Sequence, residues 1–346
     1  MLKPGDTAQG ALHRPGPSPS ETRPFTVAFL LVRHFSLIAF STAIEPLRTA
    51  NRITDKTLYR WVVVSSDGQP VAASNGLSVI PDAKIADYTD APGRNRNIDL
   101  VIVCAGQSVE RWHDPLVLGW LRRMERSGSA IGAVSTGAYA LARAGLLDGY
   151  RCAIHWESLD GFQETFPDIE VTADLFEVDR NRYTCSGGTA ALDMMLFIIG
   201  EHYGARLATR ISEITLVDRI RGPQDRQRLP LRARLGIHNQ KLVTAIELME
   251  GHISEPISQE TIAARIGLSR RQLERLFRKH LGRSPAQYYL EMRLERARHL
   301  LYQSDMPILD LALTCGFVSA SHFSKCYREM YGKPPREERQ AAQAMA

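Results

Sequence analysis

The sequence predicts two folds in one chain, an α/β domain with a mostly parallel sheet followed by an all-α domain. Three observations carry that expectation. The chain has 346 residues, about twice the length of a common single domain. Short apolar, β-branched runs alternate with longer amphipathic ones as far as residue 220, the pattern of buried strands joined by helical crossovers. Beyond residue 238 the strand pattern stops and helical periodicity takes over. With 44% hydrophobic and 23% charged residues, the composition excludes a largely disordered or fibrous chain.

Residues 1–24 hold five Pro and three Gly and lack the apolar stretch of a secretory signal, so they read as a flexible tail. Phe25–Val32, Trp61–Ser65, Ile98–Cys104 and Ala130–Val134 read as buried strands. Ala39–Asn51, Pro115–Ser127 and Ala138–Leu147 repeat apolar residues at helical spacing between them, and Thr189–Tyr203 and Ala205–Ile220 close the domain 25–220. Residues 221–237 place Gly222, Pro223 and Pro230 among arginines and read as a basic linker. Residues 238–339 make the second domain and 340–346 a tail.

The net charge of +5 is unevenly spread. Residues 1–220 hold 22 Lys and Arg against 25 Asp and Glu, whereas 221–237 hold 5 against 1 and 238–346 hold 16 against 12. A mildly acidic front and a basic rear suit a polyanion held by the C-terminal part. No apolar run is long enough for a membrane span. The five cysteines are scattered without CxxC spacing, which points to a reducing cytoplasm and to neither a disulfide framework nor a metal site. No cofactor is expected.

Functional groups in such sheets gather beyond the carboxyl ends of the strands. There Val134-Ser-Thr-Gly137 is a strand entering a sharp turn and a helix, like the elbow that presents a nucleophile. A catalytic Ser135 needs a base. The residue beside it is Thr136, and His155 is the nearby candidate, more readily a structural or ligand-contacting histidine. Trp156 reads as core packing or, beside Glu157, as one wall of a site for an organic cation.

Between His238 and Arg339 the chain repeats. Ala263 and Gly267 match Ala312 and Gly316 at an offset of 49, and Leu273, Phe277, Arg278, Gly282 and Pro285 match Phe323, Tyr327, Arg328, Gly332 and Pro335 at an offset of 50. Each copy reads as a helix-turn-helix: Ser258–Ile266, Gly267-Leu-Ser269 and Arg270–Leu281, then Ile308–Thr314, Cys315–Ser319 and Ala320–Tyr331. Arg270, Arg271, Gln272, Glu274 and Arg275 lie on the first turns of one second helix, and Ser319, Ser321, His322, Ser324 and Lys325 on those of the other. These groups hydrogen-bond bases and phosphates in a major groove. Ser284–Gln303, lined by Leu290, Leu294, Ala297, Leu300 and Leu301, reads as a rod between the copies. It would place two recognition helices in successive grooves about 34 Å apart.

Two resemblances follow from these residues. Phe40-Ser-Thr-Ala-Ile-Glu-Pro-Leu-Arg-Thr-Ala-Asn51, Val103-Cys-Ala-Gly106, Ala133-Val-Ser-Thr-Gly-Ala-Tyr139, His155-Trp-Glu157 and Ser186-Gly-Gly-Thr189 resemble the PfpI/ThiJ-type domain, a relative of class I glutamine amidotransferases, over residues 25–220. Enzymes of that superfamily carry Cys at the elbow, often followed by His, with an acid from the first helix. Ser135, Thr136 and Glu45 stand at the positions read as corresponding, which implies a pocket kept for binding rather than hydrolysis. Ser269-Arg-Arg-Gln-Leu-Glu-Arg-Leu-Phe-Arg278, Cys315–Arg328 and Gly332-Lys-Pro-Pro335 resemble the AraC/XylS DNA-binding domain.

The combination resembles the GlxA-type branch, and within it regulators of glycine betaine, carnitine or arginine catabolism. It implies a cytoplasmic, homodimeric transcriptional regulator rather than an enzyme, an activator that binds promoter DNA and works with RNA polymerase. A small amino-acid-like or quaternary-ammonium effector would sit near Glu45, Asn75, Gly106, Ser135, Thr136, His155 and Trp156. The alternative is an amidase or hydrolase using Ser135 and His155.

Overall fold

Residues 19–20, 23–88, 98–228, 231–236 and 239–345 are described by the structure, a computed structural model. The chain divides into two compact units after Gln227. Most of the expected N-terminal tail, residues 1–18 and 21–22, lies outside the described residues. Its end is pinned: Arg23 donates to both carboxylate oxygens of Asp99, each at 2.6 Å.

The first unit runs β1 (Phe25–Leu31), α1 (Leu37–Thr54), β2 (Tyr59–Ser65), the short β3 (Val71–Ala72), β4 (Ser78–Val79) and β5 (Ala83–Lys84), then β6 (Leu100–Cys104), α2 (Pro115–Arg126), β7 (Ala130–Val134) and α3 (Ala138–Arg143). It continues through β8 (Arg151–Ala153), α4 (Leu159–Thr165), β9 (Glu170–Thr172), β10 (Phe176–Asp179), β11 (Arg182–Cys185), α5 (Ala190–Tyr203) and α6 (Ala205–Ile214). A seven-stranded sheet has the order β10-β11-β7-β6-β1-β2-β5. Every pairing in it is parallel except β10 with β11. β6 and β7 are buried along their whole length because helices cover both faces. One core contains Phe29, Leu47, Met195 and Ile199, the other Val103, Trp120, Tyr139 and Phe162.

Side chains fix the helix starts. Ser36 accepts from Ala39 N at the head of α1, and Asp114 accepts from Leu116 N and Val117 N ahead of Pro115 at the head of α2. Two ends fall short of expectation. α3 stops at Arg143 rather than Leu147 because Gly145 takes φ 69°. α6 stops at Ile214 rather than Ile220, where Leu216 turns left-handed at φ 57° and Val217 N bonds Ser212 O.

The second unit is helical: α7 (Leu231–Leu235), α8 (Gln240–Glu250), α9 (Gln259–Arg265), α10 (Arg270–Leu281), α11 (Pro285–Gln303), α12 (Ile308–Thr314), α13 (Ala320–Tyr331) and α14 (Pro335–Met345). Two cores follow the repeat. Leu273 and Phe277 join Ile246 and Met249 in the first; Phe323 and Tyr327 join Leu294, Leu300 and Leu301 in the second.

The expected linker and C-terminal tail need correction. Arg221 is gripped by Asp193, Gln227 by two backbone carbonyls, and Leu231 is buried against the second unit's first core. Residues 221–237 are therefore docked at both ends, with 229–230 and 237 outside the described residues. Residues 340–345 continue α14, which Glu338 anchors from a fully buried position. Among the described residues, no helix is long and apolar enough to cross a membrane.

Candidate nucleic-acid interface and effector site

The repeat resolves into two tri-partite motifs, α9–α10 and α12–α13. Ser269 caps α10 through a reciprocal box with Gln272, and Ser319 caps α13 by accepting from His322 N. Gly282 and Gly332 end the two helices in the left-handed conformation at φ 71° and 79°. Between the motifs stands α11, as the leucine spacing required. Its Arg293 donates to Cys315 O and Gly316 O at 2.8 and 2.6 Å and covers the Phe317 ring at 4.1 Å. Its Tyr289 hydroxyl donates to His252 O at 2.6 Å, beside α8. Gly316 admits no side chain, since a Cβ there would stand 2.4 Å from Ile253 O. The rod and both motifs thus meet in one packed unit.

The candidate DNA-contacting residues separate by their engagements. Arg270 pairs with Glu260 at 2.8 Å, Glu274 with Arg278 at 3.0 Å, and Gln272 and Ser319 are occupied in part by capping. His322 packs edge-on to Phe317. Arg271 and Arg275 are exposed one turn apart on α10, and no hydrogen bond or ion pair engages them among the described residues. Ser321 and Lys325 occupy the equivalent exposed positions on α13, 50 residues on, and are likewise unengaged. Ser324 is half-buried. The structure therefore leaves matching pairs of polar side chains free on the two second helices.

In the first unit, Ser135 stands at the end of β7 with φ 61°, a left-handed backbone that non-glycine residues rarely take. His155 N donates to Ser135 O at 3.3 Å, and the Thr136 hydroxyl donates to Gly106 O at 2.6 Å. Gly187 lies against the elbow, where a Cβ would fall 2.6 Å from that of Ser135. Gly106, Ser135, Thr136 and His155 are thus brought together. Trp156 follows, half-buried, its ring 5.7 Å from that of His155. Asn75 sits in the exposed β3–β4 turn, accepting from Leu77 N; that turn reaches the sheet edge through Ser74 N donating to Phe35 O.

Glu45 does not fit the expected arrangement. It is exposed and paired with Arg48 at 2.7 Å, and no contact ties it to Ser135 among the described residues. The first helix reaches the elbow region through Thr42, whose hydroxyl donates to Gly188 O at 2.7 Å. Glu45 falls between the buried positions Ala43, Pro46 and Leu47 of α1, on the face turned to solvent.

At the elbow no hydrogen bond joins Ser135 to His155 through their side chains among the described residues. No hydrogen bond engages the Ser135 hydroxyl among the described residues, and His155 Nδ1 accepts from Glu157 N at 3.4 Å. Burial pushes the Cys185 thiol up to about 12 and that of Cys104 higher still, so neither nearby cysteine is a thiolate at neutral pH.

Comparison with known proteins agrees with both halves. Residues 26–201 match the DJ-1/PfpI family and residues 262–341 the Helix-turn-helix domain family. The HTH-type transcriptional regulator GbdR of Pseudomonas aeruginosa is 48% identical over 328 residues, 95% of this chain and 88% of that protein. The chain belongs to the AraC-family regulators with a DJ-1/PfpI front domain. A second member, the HTH-type transcriptional regulator CdhR of Pseudomonas aeruginosa, is 45% identical over 90% of each chain. A crystal structure of an AraC family transcriptional regulator from Pseudomonas putida, 30% identical, superposes with a TM-score of 0.50 over 56% of this chain and all of that one. An AraC-family identity makes this a DNA-binding transcriptional regulator, and its relatives carry the names of regulators rather than of enzymes.

Sequence reasoning missed three groups that organise this AraC-family chain. Arg293 gives no signal because its role depends on the turn it meets. Asp193, in the apolar helix α5, is a lone acid in such a run, which is a signal for a buried partner. Gln227, in the supposed linker, carried none.

Proposed function

We propose that this regulator is an effector-responsive activator in which a small amino-acid-like or quaternary-ammonium metabolite, bound at the carboxyl edge of the first unit's sheet, sets how the DNA-binding unit engages its operator. One observation carries the reading. Residues 221–227, where the chain leaves the first unit, are fastened to the elements that frame the elbow. Arg221 bonds Asp193 at 2.6 Å and Thr189 Oγ1 at 2.7 Å, just beyond Gly187 and Gly188. Gln227 donates to Ile154 O at 2.9 Å, one residue before His155, and to Asp174 O at 2.8 Å.

A ligand at Gly106, Ser135, Thr136, His155 and Trp156 would touch the supports of that segment. It acts only if it favours one arrangement of the segment over another. Arg271 and Arg275 on one recognition helix and Ser321 and Lys325 on the other read the operator, and Arg270, Gln272, Glu274, Ser319, His322 and Ser324 support or flank them. The active species is a cytoplasmic homodimer that recruits RNA polymerase.

Footprinting of the full-length protein on its promoter, with and without glycine betaine, carnitine and arginine, tests this. The expected result is a footprint whose extent or affinity changes with one of them. An unchanged footprint and unchanged transcription across the panel would leave a constitutive DNA-binding protein.

A further inference from the structure

A concavity opens beyond the carboxyl ends of β1 and β2. Its volume is about 420 Å³, and its lining includes Arg33, Ser66, Asp67, Val71, Trp112 and Asp114. That is within the range of small-molecule sites, roughly 300–1,000 Å³. Ala72 in its lining accepts from His34 N at 2.7 Å, and the next residue, Phe35, bridges to Gly106. None of these lining groups was singled out by the sequence.

The chemistry of the lining is selective. Trp112 is half-buried, packed on the second of the first unit's cores, and no aromatic or cationic group stacks on it among the described residues. Asp114 is held in place by Ser66, which donates to it at 2.8 Å, and by the backbone at the head of α2. The first carboxylate oxygen of Asp67 accepts from Gln69 N at 2.9 Å; its second has no partner among the described residues. Arg33 is exposed and unpaired there too.

A hard metal ion wants several oxygen ligands, whereas Asp114 is already committed to the α2 N-terminus. An indole face beside fixed carboxylates instead favours a soft, weakly hydrated organic cation, attracted by the ring quadrupole and by charge. The guanidinium of Arg33 adds a donor fork for a carboxylate.

We propose that this cavity is a second seat, separate from the elbow, for a small organic ammonium compound, with a carboxylate where it is a zwitterion. The proposal rests on the effector-responsive reading above and adds a ligand seat to the one at the elbow. The cation stands against Trp112 with Asp67 and Asp114 as counter-charges, and Arg33 takes the anionic end.

Titration of the full-length protein with tetramethylammonium chloride and with glycine betaine tests it, using sodium acetate and magnesium chloride as controls. Tryptophan fluorescence and melting temperature are the readouts. Both ammonium compounds are expected to raise the melting temperature, because each stabilises the native state it binds, and the controls are not. Asp67→Asn, a near-isosteric change at an exposed residue, and Trp112→Phe, which keeps an aromatic packing group, should each weaken binding tenfold or more. Far-ultraviolet circular dichroism matching the wild type, measured without ligand, shows that both variants are folded. Wild-type affinity for the ammonium compounds in both folded variants overturns the assignment and leaves the elbow as the seat. Absence of any ammonium binding, or a response to magnesium instead, also overturns it. Failure of the wild type to change its footprint with a ligand that it does bind would sink the effector-responsive reading alone.

Discussion

Arg293 on the rod helix α11 donates to the carbonyl of Gly316 at 2.6 Å, inside the turn of the second helix-turn-helix. The same guanidinium serves Cys315 O and covers Phe317, and burial lowers its pKa from the ordinary arginine value. One side chain therefore fixes where α13 stands relative to the rod. Arg293→Ala would remove both hydrogen bonds and should cost roughly 1.5–3 kcal/mol in the helical unit, the range for hydrogen bonds to charged groups. Urea unfolding followed by circular dichroism measures the cost. An unchanged midpoint would mean that the leucine packing alone sets the angle.

Arg271 and Arg275 differ from Arg270 and Arg278 in being unengaged. Arg271→Ala or Arg275→Ala should cost roughly 1–3 kcal/mol of operator binding if bidentate to guanine, and should relax preference at one base position. Equal loss on all sequences would show phosphate contact instead. Arg270→Ala should fall below this, because part of its effect is the loss of an exposed pair with Glu260.

Much of this architecture was legible in the sequence. The repeat at offsets of 49 and 50 returned the bounds of α10, α12 and α13 to the residue, because turn glycines and apolar residues at helical spacing mark the boundaries, with capping serines for α10 and α13 and Pro307 for α12. The four long strands of the front sheet were legible for the same reason: each is a buried apolar run. Residues 151–185 were largely not. β8 to β11 are three or four residues each, and β10 and β11 form an antiparallel pair too short for a periodic signal. The elbow geometry of Ser135 could be read from Val134-Ser-Thr-Gly137, but the solvent-facing position of Glu45 could not, since it depends on which face of α1 packs on the sheet.

Glu338 sets an acid limit on the C-terminal helix. Burial pushes its carboxyl up, but hydrogen bonds from Tyr302, Lys333 and Arg298 outweigh this and hold it below the usual carboxylate range. A depressed folded-state value contributes stability that is present above the unfolded value, about 4.3, and is lost as pH falls through the folded one. Melting temperatures measured from pH 7 down to 3 should drop more steeply for the wild type than for Glu338→Gln, which should start lower. Parallel curves would contradict the pairing.

Asp193 and Arg221 form the clasp where the chain leaves the sheet domain. Asp193 is buried and accepts from Arg221 through both backbone and side chain. Asp193→Asn removes the charge and keeps the shape. In a promoter reporter, the variant should retain DNA affinity while its ratio of induced to uninduced transcription falls severalfold. An induction ratio equal to the wild type would remove the clasp from the coupling route.

Chemical-protection mapping of the full-length protein on its promoter goes furthest toward the main claim, that two helices on one rod read one duplex. In the half-site of each protomer, two protected major-groove segments about one helical turn apart are expected. Arg271→Ala should open only one of them, and Lys325→Ala only the other. A single protected segment, or loss of both from either substitution, would contradict a two-helix reading of the operator.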